Sequence, residues 1–406
     1  MKFFENGDGL TEPRGFFCSG VHCDVKGKRD GRLDLGIVFS KKPCSAAGVF
    51  TTNDVKAAPV LYSQKLLSDP GAKFHGIVAN SGNANACTGE QGDSDAAKMS
   101  SEVARHLNLH SKEILVCSTG RIGVRLPISR ITAGIKDAAD DIRNEFDGAK
   151  AFQEAILTSD TCTKSCSAKF DSPVGEITVG GVVKGAGMIE PDMATMLAFL
   201  TTDAGASSTL LQKILKQAAD RSFNRITIDG DMSTNDSVLF LANGNSGLRI
   251  DDESKALQNL FSQAVEAVCS CLARKCVFDG EKVTKFVRLR VTGAPDHSSA
   301  EKVARCIANS LLVKTSWYGS DPNWGRIIDA AGYARVGLDF NLVDLFYDEV
   351  PVLSNGEPVH ENQGRWEDAV SAKEFGVTLN LNLGTGESEV WSSDVSEEYV
   401  DFNKSE

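Results

Sequence analysis

The chain has 406 residues, 41% of them hydrophobic and 24% charged, and its 43 Lys and Arg against 55 Asp and Glu leave a formal charge of −12. That is a globular composition with ample length for a large core, arranged as about two to three domains or one large split one. The acidic balance argues against general nucleic-acid binding and against a polybasic membrane surface. No apolar run approaches the ~18 residues that span a bilayer, and Lys2, Glu5 and Asp8 interrupt any signal-peptide core, so a cytosolic protein is expected.

Taken in chain order, Leu33–Ser40, Lys73–Asn80 and Glu113–Ser118 read as strands. Between the last two, Ala96, Met99, Ser100, Val103 and Leu107 share one face of a helix over Asp95–Leu107. Leu126-Pro127 opens another helix, because proline fits a first helical turn. Ile177–Val183 is β-branched and glycine-containing, and reads as a strand. Ser208 is expected to cap a helix that turns Leu211, Ile214, Leu215, Ala218 and Ala219 inward. Ser254 is expected to cap another, with Leu257, Phe261, Val265, Val268 and Leu272 at helical spacing. Near the end, Val377, Leu379, Leu381 and Leu383 alternate with Thr378, Asn380 and Asn382, a strand with one buried face. Strand groups interrupted by helices predict layered α and β with the helices outside. The strand order stays open.

Several motifs fail on inspection. The cysteines run from Cys18 to Cys306 without a Cys-x-x-Cys pair, so they are expected to be small buried hydrophobes. His106 and His110 lie at helical spacing without a third ligand and read as a surface pair. Gly185-Ala186-Gly187 begins like a dinucleotide fingerprint, but Glu190 occupies the third glycine position, where close helix–strand packing needs no side chain. Asp229–Asp236 begins like a calcium loop. Thr234 stands where the sharp-turn glycine belongs and Phe240 where the closing glutamate belongs, so a polar turn is expected instead. No metal and no cofactor are expected.

What remains is Ala194-Thr195. A threonine hydroxyl is a poor nucleophile at neutral pH. If the bond before it is cut, its own freed α-amine, with a pKa near ~8, becomes a base beside the hydroxyl. Ala194 is small enough for close approach, and Glu190-Pro191-Asp192 is a turn-prone approach to the bond. An ordinary threonine in an amphipathic strand fits these residues as well.

The segment Lys184–Ala204 (KGAGMIEPDMATMLAFLTTDA) resembles the self-cleavage segment of the ArgJ family, glutamate N-acetyltransferases also called ornithine acetyltransferases. Further resemblance runs in family order through AGVFTTN (Ala47–Asn53), NSGNANACTG (Asn80–Gly89), STG (Ser118–Gly120) and TSDT (Thr158–Thr161). It continues through DGDMSTND (Asp229–Asp236), DGEKVTKF (Asp279–Phe286) and SDPNWGRI (Ser320–Ile327).

The resemblance implies a layered αββα fold of the N-terminal-nucleophile-like type. It implies scission between Ala194 and Thr195 into an N-terminal chain of residues 1–194 and a C-terminal chain of residues 195–406. The two chains would stay interlocked and pair into an α2β2 assembly. Thr195 would take acetyl from N-acetylornithine and pass it to glutamate by a ping-pong route; acetyl-CoA is a possible further donor. Thr119 and Gly120 match the oxyanion donors of the family, an arrangement that tetrahedral chemistry requires. Lys184, suited to a carboxylate, Glu281, suited to an ammonium, and the Thr161 hydroxyl match substrate contacts. Read alone, Lys184 and Glu281 are solvated surface charges. Asn403 fits the family's C-terminal asparagine, but the hydroxyl residue expected well after it has only Ser405 to stand in. Two other readings share part of this pattern. One is a related aminopeptidase or amidase with water as acceptor, and the other is a non-catalytic binding protein with an intact chain.

Overall fold

The computed structural model describes residues 1–190 and 196–404. The chain divides into two compact units, the first of Met1–Gly185, Pro191–Asn224 and Met232–Cys276, the second of Ala186–Glu190, Arg225–Asp231 and Val277–Glu406.

In the first unit the described strands are β1 (Lys2–Phe4), β2 (Phe16–Val21), β3 (Leu35–Phe50), β4 (Phe74–Asn80), β5 (Ile114–Ser118), β6 (Lys164–Ser172), β7 (Gly175–Lys184), β8 (Leu197–Thr202) and β9 (Ser237–Ala242). The helices are α1 (Ala58–Leu67), α2 (Gly89–Leu107), α3 (Ile128–Asp140), α4 (Phe146–Ala155), α5 (Ser208–Asp220) and α6 (Lys255–Phe278). The strands run in the order β1-β6-β7-β8-β9-β3-β4-β5, with β2 also on β3.

The long β3 is the corner of this sheet. Its first half pairs with β2 and β4, its second half with β9, and the register shifts between Phe39 and Cys44. Exposed Lys41, Lys42 and Pro43 lie at the shift; proline has no N–H to give a ladder, so pairing breaks there and the strand can turn. The two halves then face each other. Val38, Ile77, Ala79, Leu115 and Cys117 of one half share a buried cluster with Leu197, Phe199, Leu239 and Leu241 of the other.

Side chains alternate along a strand, so the neighbours of these residues point outward. Ile37, Val78, Ile114 and Val116 pack on Met99 and Val103 of α2 and on Ile131 and Ile135 of α3. On the opposite side, Phe240 stacks on Phe261 of α6 with centroids 6.3 Å apart. A Cβ on Gly181 would lie 2.9 Å from Val268 and 3.0 Å from Leu272, so α6 rests directly on β7. The layers are α, β, β, α, as expected.

Register also explains a departure. Cys166 pairs with Gly181 across β6 and β7, which puts it beneath α6, and it forms a disulfide with Cys271, the neighbour of Leu272. Cys18, Cys44, Cys117, Cys269 and Cys276 are buried thiols, as expected, but Cys87 and Cys162 are exposed and Cys23 and Cys306 only partly covered, against the expectation of buried hydrophobes. Other departures are small. Ser207 rather than Ser208 caps α5, its Oγ accepting the Leu210 N–H at 3.2 Å. Pro127 caps α3 rather than entering its first turn. Ser254 caps α6 as expected, accepting from the Leu257 N–H at 3.3 Å.

The second unit holds β10 (Phe286–Ala294), β11 (Asp344–Tyr347), β12 (Val350–Ser354), β13 (Glu357–Pro358), β14 (Glu374–Asn380) and β15 (Gly386–Ser393), in the order β13-β12-β11-β14-β10-β15. Its helices are α7 (His297–Ala308), α8 (Leu311–Tyr318), α9 (Trp324–Gly332), α10 (Gln363–Ser371) and α11 (Glu397–Phe402). Val287, Leu289 and Val291 of β10 alternate with Arg288 and Arg290 and join Val377, Leu379, Val303, Ile307 and Trp317 in one core. The expected strand through Leu383 stops at Asn380, because Asn382 takes a left-handed φ of 51°. Leu381 stays buried regardless.

Candidate active site

The ends of β4 and β5 lie side by side, with Asn80 paired to Ser118. The residues that follow each strand are tied together. Ser118 Oγ donates to Asn80 Oδ1 at 2.6 Å, and the Thr119 N–H donates to the Asn80 carbonyl at 3.0 Å. Asn235 donates through Nδ2 to the carbonyls of Ala84 at 2.6 Å and Ser118 at 2.8 Å. Gly120 follows with φ +129°, and a Cβ there would sit 2.4 Å from the carbonyl carbon of Gly82. Only glycine fits this conformation and this approach. With the Thr119 N–H already paired, the Thr119 hydroxyl and the Gly120 N–H have no acceptor among the described residues.

Lys184, the last residue of β7, comes to the same turn. It is 3% exposed, and its Nζ donates to Thr119 Oγ1 at 3.2 Å. Beside it, Asp160 Oδ1 accepts from Lys164 Nζ at 2.7 Å and from the Gly185 N–H at 2.7 Å. Burial pushes the Asp160 carboxyl up, but the Lys184 and Lys164 ammoniums and these hydrogen bonds outweigh it and hold the group at about 2. Thr161 follows Asp160 and is exposed.

Asp236, just before β9, is buried, and its Oδ1 accepts the Met196 N–H at 2.8 Å. Its Oδ2 has no hydrogen-bond partner among the described residues. Burial drives this carboxyl well above its ordinary range, against the Met196 and Ser233 hydrogen bonds and the Lys184 charge.

In the second unit, Asn403 Nδ2 donates to Glu281 Oε2 at 3.1 Å and to the Tyr399 carbonyl at 3.0 Å. The Glu281 N–H donates to the Ala186 carbonyl at 2.8 Å, and a Cβ on Gly187 would lie 2.3 Å from the Glu281 carboxyl. Asp229 Oδ1 accepts the Ile189 N–H at 2.7 Å, and its Oδ2 accepts the Met188 N–H at 2.5 Å. The polar turn expected at Asp229–Asp236 is therefore present, its carboxylates satisfying backbone donors. Burial raises the Tyr399 phenol, and the Asp229 and Glu281 charges raise it further.

The structure thus groups Thr119, Gly120 and Lys184 in one unit, and Glu281 with Asn403 in the other. Ala194, Thr195 and Ser405 lie outside the described residues. Asp160 and Asp236 were missed as site residues, although both stand inside motifs that carry the resemblance. Among the described residues no group of three His, Cys, Asp or Glu side chains could hold a metal ion, and no helix is long and apolar enough to cross a membrane.

Fold and turn together define the class, a layered αββα protein in which a buried lysine meets the Thr119–Gly120 turn. A model described as the ArgJ family matches residues 17–405. The chain belongs to the ArgJ family. It is similar to the arginine biosynthesis bifunctional protein ArgJ of Thermotoga neapolitana, with 45% identity covering 96% of this chain and 98% of that protein. It is likewise similar to the protein of that name from Symbiobacterium thermophilum, with 43% identity covering 98% of each. A crystal structure of ornithine acetyltransferase from Mycobacterium tuberculosis, complexed with ornithine, matches with a TM-score of 0.43 and 35% identity, covering 47% of this chain and 98% of that one.

Proposed function

We propose that this protein is an acetyltransferase of arginine biosynthesis that moves acetyl from N-acetylornithine to glutamate through an acetyl-Thr195 intermediate. Near full-length similarity to relatives named for arginine biosynthesis supports the pathway. The observation that carries the chemistry is the Thr119–Gly120 turn, with a hydroxyl and an N–H to offer and a buried ammonium on the hydroxyl.

In this reading the chain first cuts itself between Ala194 and Thr195. The freed α-amine of Thr195 then takes the proton of its own hydroxyl as Oγ attacks the acetyl carbonyl. The Thr119 hydroxyl and Gly120 N–H receive the oxyanion. The C–N bond breaks, ornithine leaves with the proton, and acetyl stays on Oγ. The glutamate amine attacks in turn, its proton returns through the α-amine to Oγ, and N-acetylglutamate is released. Glu281, which accepts a hydrogen bond from Asn403, suits a substrate ammonium, and Lys184 and Thr161 are the polar contacts the resemblance implies. No cofactor takes part. The relatives' names call them bifunctional, and acetyl-CoA, a thioester of the same acetyl group, is the second donor we assign. The processed chains form an α2β2 assembly in the cytosol.

The test is initial-rate kinetics. A bound glutamate aimed at the acetyl carbon competes with water through an effective molarity on the order of 10⁵ M or more. Double-reciprocal lines should be parallel, and N-acetylornithine alone should release ornithine slowly. Release just as fast without glutamate would make the protein an amidase.

A further inference from the structure

The Thr119–Gly120 turn is bordered by positive charge. Arg121, Ile122, Gly123, Val124 and Arg125 follow it, and all five are exposed. Their backbone is tied to the loop after β4. The Ala84 N–H donates to the Arg121 carbonyl at 2.9 Å and the Gly123 N–H to the Ala86 carbonyl at 3.0 Å. Asn83 Nδ2 donates to the carbonyls of Val124 at 3.1 Å and Arg125 at 3.2 Å. The run is held in place, yet neither the Arg121 nor the Arg125 guanidinium has a hydrogen bond or ion pair among the described residues. Elsewhere Arg105, Arg221, Arg290 and Arg305 each reach a carboxylate.

A second cationic segment comes to the same place. The side-chain oxygens of Asp34 accept the N–H groups of Cys23 at 2.7 Å and Val25 at 2.6 Å, and its carbonyl accepts the Ser81 N–H at 3.0 Å. The loop that carries Lys26, Lys28, Arg29 and Arg32 is thereby pinned to the end of β4. A Cβ on Gly82 would lie 2.7 Å from Lys26 Cγ, and one on Gly120 would lie 2.8 Å from Gly82 Cα, so Gly82 stands between that loop and the turn. Residues 23–34 and 120–130 together carry seven Lys and Arg against three Asp, in a chain of net charge −12. Of those carboxylates, Asp34 is taken up by backbone donors and Asp24 lies 3.2 Å from Arg130. Like charges gathered in this way repel, and a multiply charged anion relieves the repulsion.

Between the two arginines, Ile122 is 41% and Val124 48% exposed, an apolar strip that neither N-acetylornithine nor glutamate needs. Acetyl-CoA has a group for each part. Its acetyl thioester sits at one end of a pantetheine arm, and a pyrophosphate and a 3′-phosphate lie at the other. Guanidinium forks match phosphate oxygens. We propose that Arg121, Arg125 and the loop of Lys26 to Arg32 bind the phosphates of acetyl-CoA, with the pantetheine arm along Ile122 and Val124 and the acetyl group at the Thr119–Gly120 turn. The inference rests on the acetyl-transfer reading above and on acetyl-CoA as its second donor.

The test is steady-state kinetics of the full-length processed enzyme with glutamate as acceptor. The donors are acetyl-CoA, N-acetylornithine and S-acetyl-N-acetylcysteamine, a thioester of the same acetyl group without phosphates. The double variant Arg121→Gln, Arg125→Gln should raise KM for acetyl-CoA about ten-fold and leave KM for the other two donors within about two-fold. Added salt, which screens exposed charges, should raise the acetyl-CoA KM and spare that of the cysteamine thioester. Equal shifts for all three donors would mean a distorted turn, and an unchanged acetyl-CoA KM would place the phosphates elsewhere; either overturns the proposal. Wild type supplies a test that needs no variant. Adenosine 3′,5′-bisphosphate should compete with acetyl-CoA and leave exchange from N-acetylornithine untouched; inhibition of both or of neither contradicts the site. A wild type that exchanges acetyl from N-acetylornithine but takes none from acetyl-CoA sinks this inference alone. One that uses neither donor sinks the functional reading itself.

Discussion

Gly120 shows how little freedom one residue of the site has. Its positive φ and its approach to Gly82 leave no place for a methyl group. Gly120→Ala should lower stability by roughly 1–3 kcal/mol, seen in thermal unfolding, and abolish turnover by moving the adjacent N–H. Thr119→Ala removes a single donor and should cost about 10²–10³ in kcat with KM little changed. A change in KM alone would make Thr119 a ground-state contact. Thr119, Gly120 and Lys184 were singled out through the family resemblance; read alone, Lys184 passed for a surface charge, and the structure buries it. Asp160 and Asp236 were not, because their meaning comes from distant partners. Asp160 meets the Gly185 N–H 25 residues away, and Asp236 meets Met196 40 residues away.

At the level of elements, Asp236 joins the start of β9 to the approach of β8. Its native pKa is raised by burial above the ordinary 3.8. A raised carboxyl favours the folded state fully below the ordinary value, and that advantage disappears as pH rises through the native pKa. Asp236→Asn keeps an acceptor for the Met196 N–H without a charge to bury. The variant should unfold at higher temperature than wild type at pH 7, and the gap should close near pH 4. Equal melting points at both pH values would contradict the assignment. Asp160 has the opposite sign. Its contribution is complete above its unfolded value of 3.8 and is lost as pH falls toward about 2. Periodicity picked out elements that bury one continuous stripe, such as α2 and α6, although α2 begins at Gly89 and not at the expected Asp95. The second half of β3 was missed. It lies beyond exposed Lys41, Lys42 and Pro43, residues that locally signal a strand's end, and it is strand only because β9 pairs with it.

For the whole molecule, the proposed scission leaves Cys166 and Cys271 on different fragments, yet they share a disulfide. Enzyme purified without reductant should run on denaturing electrophoresis as one species near 43.5 kDa, and with reductant as two fragments meeting at Ala194-Thr195. Two fragments without reductant would show the cysteines unlinked, and one species under both conditions would show the chain uncut. Thr195→Ala should give that uncut result and no activity.

The strand order has a consequence of its own. β8 and β9, both C-terminal to the proposed cut, lie between β7 and β3, both N-terminal to it. Each fragment alone would expose unpaired strand edges, which attract other chains rather than stay open in water. Dissociation therefore means unfolding. Even with the disulfide reduced, dilution should release neither fragment, and isotopically labelled fragments should not trade places at temperatures where the sheet survives. Two polypeptides made in this way would live and be degraded as one.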